Sequence, residues 1–176
     1  MDPLIDVMMA AEKLKSVIRT GWKLSGIELP ESVADHTFGV VFLSMLLGDK
    51  LALNTERMMK MALIHDIAES KLGDIHYESK TYIGEDSLEK AEGTAARDIL
   101  PDEYFELWDE YKKKETREAR IVSACDKLEL YFQAVHYEKT GYTDLDKFWE
   151  NPWNQKDFSP EICNLFETLR KLRCKD

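Results

Sequence analysis

Histidine and carboxylate side chains interrupt the apolar faces of three predicted helices. His36 falls on the apolar stripe of one helix, His65 on that of the next along the chain, and Asp126 on that of a third. Asp66 adjoins His65, and Glu69 lies one helical turn beyond it. An unpaired carboxylate that faces a protein core is very costly, so several such groups on separate helices indicate a shared positive partner. A bound divalent cation is the simplest such partner.

Each of these residues also has an ordinary structural explanation. A single histidine on an apolar face is more often hydrogen-bonded to a carbonyl group than bound to a metal. Asp126 could pair with a basic side chain of a neighbouring helix, and Glu69 could be an exposed carboxylate beside Lys71. The residue types alone leave both explanations open.

The spacing of apolar residues predicts that helices position these side chains. The 8 Gly and 5 Pro fall between segments in which apolar residues recur at helical spacing. The first predicted helix starts near Leu4, includes Ile18 and ends at Gly21. Ser32 and Asp35 form a capping-box pair that opens the second, which runs to about residue 50. Asn54 or Thr55 can cap the next predicted helix, over 55–73. Further helices are predicted over 87–100, 101–114, 115–138 and 160–172, with a loop at 74–86.

Length and composition are those of one domain. The chain has 176 residues, of which 44% are hydrophobic, and it contains no internal repeat or linker. We therefore expect residues 1–176 to form a single all-α domain of about six to eight helices. The net charge of −10 argues against a nucleic-acid polymer or an anionic membrane surface as the main partner.

The sequence also predicts a cytoplasmic protein. The three cysteines form no CxxC pair, which is typical of a reducing compartment. Asp2 and Asp6 lie inside the first apolar segment, so no signal peptide is visible. No uncharged apolar stretch approaches the ~20 residues that a membrane helix needs.

Three segments carry a resemblance to a known family. PESVADH, MALIHDIAESKLGDI and ACDKLEL resemble the HD-domain superfamily of metal-dependent phosphohydrolases, and within it the chain is most similar to the 5'-deoxynucleotidases. The resemblance extends from LKSVIRTGW to the last predicted helix. It implies an HD-type helical bundle that hydrolyses deoxyribonucleoside 5'-monophosphates to deoxynucleoside and phosphate.

The resemblance also implies roles for particular residues. The metal ligands would be His36, His65, Asp66 and Asp126. Glu69 would act on the attacking water or on the leaving group, and Asp74 would support it. Arg19 and Trp22 would hold the phosphate and the deoxyribose, and Lys80 would contact the phosphate. In bacterial members the arginine and tryptophan are adjacent, whereas here Thr20 and Gly21 separate them, as in the human-type protein.

This ligand set would hold one divalent ion, either Mn, Co, Fe, Ni, Zn or Mg. Two imidazoles and two carboxylates leave two positions of a six-coordinate cation for water and a phosphate oxygen. Superfamily members with two metals need more His or Asp ligands between the HD pair and the last Asp. Only His76 is a histidine in that interval, so one metal is expected.

The sequence leaves two alternative functions open and also indicates the binding partners of the protein. An HD hydrolase of another nucleotide, acting on a phosphodiester or pyrophosphate, is one alternative, and a non-catalytic helical scaffold that retains a metal is another. The small-molecule partner would be a nucleoside monophosphate. The resemblance and an aromatic C-terminal third also predict a homodimer. The aromatic residues concerned are Phe148, Trp149, Trp153 and Phe158.

Overall fold

The computed structural model describes residues 3–151 and 159–173. Within them the chain is all-α, as expected, with one isolated antiparallel bridge between Ile18 and Ser32. The helices are α1 (Pro3–Leu14), α2 (Thr20–Leu24), α3 (Val33–Lys50), α4 (Thr55–Ile64), α5 (Glu69–Leu72), α6 (Tyr77–Ile83), α7 (Glu85–Ile99), α8 (Asp102–Lys113), α9 (Arg117–Lys139), α10 (Asp146–Trp149) and α11 (Pro160–Lys171). No helix in these ranges is both long and apolar enough to span a bilayer.

Helix α9 lies at the centre of the fold. It packs against α3, α4, α8, α10 and α11. Val40, Met58 and Val122 belong to a core between α3, α4 and α9, whereas Trp22 and Tyr131 belong to a second core shared by α2, α9, α10 and α11. Because α9 separates these two cores, side chains of its middle turns reach α3 on one side and α2 on the other.

The start of α3 is fixed by its own sequence and by the segment before α2. The Ser32 side chain accepts from the backbone N–H of Asp35, whose side chain accepts from the backbone N–H of Ser32, so the predicted capping box is present. The backbone N–H of Val33 also donates to the carbonyl of Val17 over 2.8 Å. This pairing holds residues 17–19 extended. The prediction of one helix through Ile18 is therefore wrong, since α1 ends at Leu14.

The predicted helix over 55–73 is also interrupted. Asn54 caps α4, as the sequence indicated, but α4 ends at Ile64 and a separate α5 follows. From Ile64 to Lys71 the backbone N–H groups bond mainly to carbonyls three residues back, in the tighter pattern of a 3₁₀ turn. This turn contains the HD pair. The predicted loop over 74–86 is partly wrong as well, because α6 forms within it, between Gly73 and Gly84, both of which have positive φ.

The C-terminal aromatic residues pack inside the chain. Trp149 is buried against Tyr131, with ring centroids 4.9 Å apart, and its indole N–H donates to Glu138. The Phe148 ring lies 4.1 Å from that of Trp22. Trp153 and Phe158 lie outside the described residues. Trp149 therefore fills the second core, whereas Phe148 is only partly buried against it, and the homodimer stays a prediction.

Candidate active site

Four side chains from α3, the α4–α5 turn and α9 bring their donor atoms together. His36 Nε2 lies 3.0 Å from Asp126 Oδ1 and 3.8 Å from Asp66 Oδ2. His65 Nε2 lies 3.1 Å from Asp66 Oδ2 and 4.0 Å from Asp126 Oδ1. Donor atoms of His36, His65 and Asp126 lie within 4.8 Å of one another, and Asp66 lies beside both imidazoles.

The other nitrogen of each imidazole is already bonded within the protein. His36 Nδ1 lies 2.6 Å from Glu129 Oε2, and His65 Nδ1 lies 2.7 Å from the carbonyl oxygen of Ala62. Since carboxylate and carbonyl oxygens accept, both Nδ1 atoms are the donors, and each Nε2 is left facing the site. The buried indole N–H of Trp108 donates to the carbonyl of His65 and fixes the backbone of the turn.

These donors fit a divalent cation. His65 Nε2 is buried and makes no hydrogen bond. Octahedral metal–ligand bonds of about 2.1 Å place neighbouring donors about 3 Å apart and opposite donors about 4 Å apart. The four distances of 3.0, 3.8, 3.1 and 4.0 Å span that range. The metal hypothesis is thus supported by an orphaned buried nitrogen as well as by the residue types.

The charges at this point favour ionised carboxylates. Burial opposes ionisation of Asp66, but the charges of His65, His36 and Arg19 hold its pKa well below the usual range. Burial likewise opposes ionisation of Asp126, and its hydrogen bond with His36 lowers the pKa to about 2. Both carboxylates are therefore available at neutral pH to offset a cation.

Glu69 behaves differently from the two aspartates. Burial, together with the charges of Asp66 and Asp74, raises the pKa of Glu69 to about 9. Its Oε2 atom is buried and has no hydrogen-bond partner. Glu69 therefore carries a proton at neutral pH and lacks a protein acceptor for it, which are the properties of a general acid.

Asp74 and Arg19 are linked through the start of α2. The backbone N–H of Thr20 donates to Asp74 Oδ2 over 2.5 Å, and the Thr20 hydroxyl donates to the Asp74 carbonyl over 2.8 Å. Arg19 lies 3.9 Å from both Asp66 and Glu31. Burial opposes the Arg19 charge, but the charges of Asp74, Asp66 and Glu31 raise its pKa. Arg19 is thus a fixed positive charge beside the ligands.

One cavity connects the remaining predicted residues. Its volume is about 550 Å³, which lies within the range of small-molecule sites. Every predicted site residue lines it except His36 and His65, which lie beneath. Trp22 forms part of its wall although only 1% of the residue is exposed, and its indole N–H donates to Glu31 over 2.8 Å. Lys80 lies at the edge on exposed α6.

The sequence analysis missed two buried carboxylates behind the site. Glu129 follows Asp126 by three residues on the same face of α9, so a second carboxylate at that spacing was a signal that could have found it. Gly39 of α3 has no room for a Cβ, which would lie 2.7 Å from the side chain of Glu129. Burial and the charge of Glu129 raise the pKa of Glu31, the second carboxylate, to about 7. No local pattern marks Glu31, whose contacts are all made in tertiary structure.

Comparisons with known proteins agree with this fold. A family model described as "HD domain" matches residues 11–162. The 5'-deoxynucleotidase HDDC2 of Xenopus laevis is 38% identical over 184 residues, covering 97% of this chain and 87% of the relative. The Homo sapiens 5'-deoxynucleotidase HDDC2 is 32% identical over 179 residues, covering 97% of this chain and 86% of the relative.

Two solved archaeal structures have the same fold. The PH0347 protein from Pyrococcus horikoshii OT3 superposes with a TM-score of 0.86 at 32% identity, covering 96% of this chain and 99% of that one. A conserved hypothetical protein from Pyrococcus furiosus gives a TM-score of 0.83 at 35% identity, covering 95% and 99%. The chain belongs to the HD domain family.

Proposed function

We propose that this protein is a metal-dependent 5'-deoxynucleotidase that hydrolyses deoxyribonucleoside 5'-monophosphates to deoxynucleoside and phosphate. The observation that carries the proposal is the convergence of His36, His65 and Asp126, with Asp66 beside both imidazoles, at a cavity of nucleotide size. The activity printed in the names of the HDDC2 relatives agrees with it.

We assign the metal to His36, His65, Asp66 and Asp126. When bound, the cation would supply a Lewis acid for the phosphoryl group and would acidify water at the site. Its identity among Mn, Co, Fe, Ni, Zn and Mg stays open, because imidazole and carboxylate ligands suit all of them. A single ion is expected, since His76, the extra histidine, lies beside Gly21 at the outer wall of the cavity.

Arg19 and Glu69 both neutralise negative charge during the reaction. The Arg19 guanidinium offsets the negative charge of the phosphate oxygens. Water adds its oxygen to phosphorus while the bond from phosphorus to the 5'-oxygen breaks. The 5'-oxygen takes the proton held by Glu69, and the proton released by the water restores it. Of the two roles open to Glu69, its raised pKa favours the proton donor.

Asp74, Trp22 and Lys80 position the reactants. Asp74 holds the Thr20 backbone and thereby the adjacent Arg19, and its charge helps keep Glu69 protonated. Trp22 faces the sugar, where its indole leaves no room for a 2'-hydroxyl group. Lys80 brings a second positive charge to the cavity edge for the phosphate.

A panel of nucleotides tests the proposal. Phosphate release is measured with deoxyribonucleoside and ribonucleoside 5'-monophosphates, a cyclic nucleotide and a nucleoside triphosphate, each with several divalent ions. We expect release from the monophosphates, faster with deoxyribose. Preferential cleavage of the diester or the triphosphate would favour the alternative HD hydrolases, and no release from any member would favour the metal-bearing scaffold.

The homodimer, the cytoplasmic location and the extent of the domain over residues 1–176 stay predictions. For the interface of this dimer, we propose a face of α3 instead of the C-terminal aromatic residues. This face carries three apolar residues spaced four apart, Phe38, Phe42 and Leu46, whose exposed fractions are 71%, 50% and 51%, respectively. Such an apolar stripe can pair with its own copy across a two-fold axis.

A further inference from the structure

The outer half of the cavity has a composition that the phosphate chemistry does not explain. Besides charged residues, its lining includes Gly21 of α2, His76 and Tyr77 at the start of α6, and Phe148 of α10. Phosphate binding calls for positive charge and hydrogen-bond donors, whereas these side chains are mainly aromatic. This half of the cavity suits a planar, apolar surface.

Two of these rings lie close to the glycine. A Cβ built on Gly21 would lie 3.4 Å from the nearest atom of the Phe148 ring and 3.6 Å from the nearest atom of the His76 ring. The absence of a side chain at Gly21 therefore leaves both rings uncovered by α2 where they line the cavity. Proteins hold nucleobases on aromatic rings, because every base has a π surface.

Phe148 is only partly buried, unlike a residue that serves packing alone. Its ring contacts Trp22 with centroids 4.1 Å apart and also lines the cavity. Neighbouring Trp149 is the fully packed aromatic residue of α10. Lys147 lies next to the ring, with its Nζ atom 5.6 Å from the ring centroid, and lines the same wall as a hydrogen-bond donor.

We propose that Phe148, His76 and Gly21 form a subsite that stacks the nucleobase of the substrate. The inference rests on the proposed function, which puts the phosphate at the ligands and the sugar at Trp22. Gly21 directly precedes Trp22 in α2, so the next group of the nucleotide along the cavity, the base, reaches Phe148. Phe148 lies on α10, so the subsite gives a role in substrate selection to a helix that carries no proposed metal ligand.

The test compares a nucleotide with the same molecule lacking its base. We would measure kcat/KM for dAMP and for 1,2-dideoxyribose 5-phosphate in the wild type and in Phe148→Leu, which keeps apolar contact with Trp22 but removes the π face. Stacking of one base on an aromatic ring is worth about 1–3 kcal/mol, so the ratio of kcat/KM for dAMP to that for the base-free phosphate should fall about five-fold or more in the variant.

Matched variants separate stacking from packing. Phe148→Tyr should restore the ratio. Gly21→Ala, whose new methyl group meets both rings at ordinary contact distance within a helix, should lower the ratio without removing either ring. Tyr82→Ala serves as the control, because Tyr82 lies on α6, is 91% exposed and does not line the cavity. Displacement of the Trp22 side chain would lower kcat/KM for both substrates alike, since both carry the sugar.

The outcomes distinguish this inference from the function on which it rests. Equal losses on the two substrates in Phe148→Leu and an unchanged ratio in Gly21→Ala would overturn the base subsite while leaving the nucleotidase intact. Absence of phosphate release from both substrates in the wild type would instead refute the proposed function.

Discussion

The carboxylate of Glu129 offers a direct probe of how the fold prepares His36 for a metal. Glu129→Gln keeps the size of the side chain, which matters because Gly39 leaves no spare room beside it. The substitution replaces the charged acceptor 2.6 Å from His36 Nδ1 by a neutral amide. The imidazole then keeps at most a neutral acceptor, which holds the proton on Nδ1 and directs Nε2 to the cation less strongly.

The size of the effect follows from the type of hydrogen bond. Hydrogen bonds to charged groups contribute about 1.5–3 kcal/mol, and each 1.4 kcal/mol corresponds to a factor of ten. Substitutions of such outer partners commonly weaken metal binding by about 10–100-fold. We therefore expect Glu129→Gln to weaken the affinity for the divalent ion by about one to two orders of magnitude.

Competition with a chelator of known affinity measures this change. Glu138→Gln is the matched control, because Glu138 is a buried glutamate of the same helix whose partners are Trp149 and Arg173 instead of a metal ligand. It should bind the ion like the wild type. If both variants bound the ion equally tightly, Glu129 would have no part in preparing the site and the reasoning would be refuted.

Three further changes test separate parts of the account. Glu69→Gln should retain the metal and lose most turnover, and an unchanged kcat would exclude Glu69 from proton transfer. The turnover of the wild type should fall as pH rises above about 9, where Glu69 loses its proton. Trp22→Ala should lower the ratio of deoxyribonucleotide to ribonucleotide turnover by up to about two orders of magnitude. This ratio does not depend on the fraction of protein that is folded, and an undiminished ratio would refute the steric explanation. Phe42→Glu should convert a dimer to a monomer in light scattering, whereas a wild-type mass near 20.5 kDa would remove the dimer itself.

The parts of the fold that could be predicted from the sequence are those set by local interactions. The Ser32 capping box and the Asn54 cap involve residues three apart, so the starts of α3 and α4 were predicted correctly. The end of α1 was not, because pairing of Val17 with Val33 competes with helix formation across a distance in sequence. The spacing of apolar residues along the chain contains no information about this long-range pairing.

The candidate site divides in the same way. His36, His65 and Asp126 lie on stripes that helical periodicity identifies, and the structure brings them together with Asp66 beside the imidazoles. Glu31 and the position of Phe148 beside Trp22 could not be predicted, since they depend on how α2 and α10 pack around α9. The tight turn at His65 was missed because its residues are equally compatible with a continuous helix.

Metal content and phosphate release, measured on the same preparations, test the central claim most directly. Wild-type protein is stripped with a chelator, reloaded with single divalent ions and assayed with a deoxyribonucleoside 5'-monophosphate, beside His65→Ala, with circular dichroism to verify that both are folded. The account predicts that stripping abolishes phosphate release, that reloading restores it to the wild type, and that the folded variant neither retains metal nor regains activity. Full turnover by the stripped wild type, or full metal occupancy without His65, would contradict it.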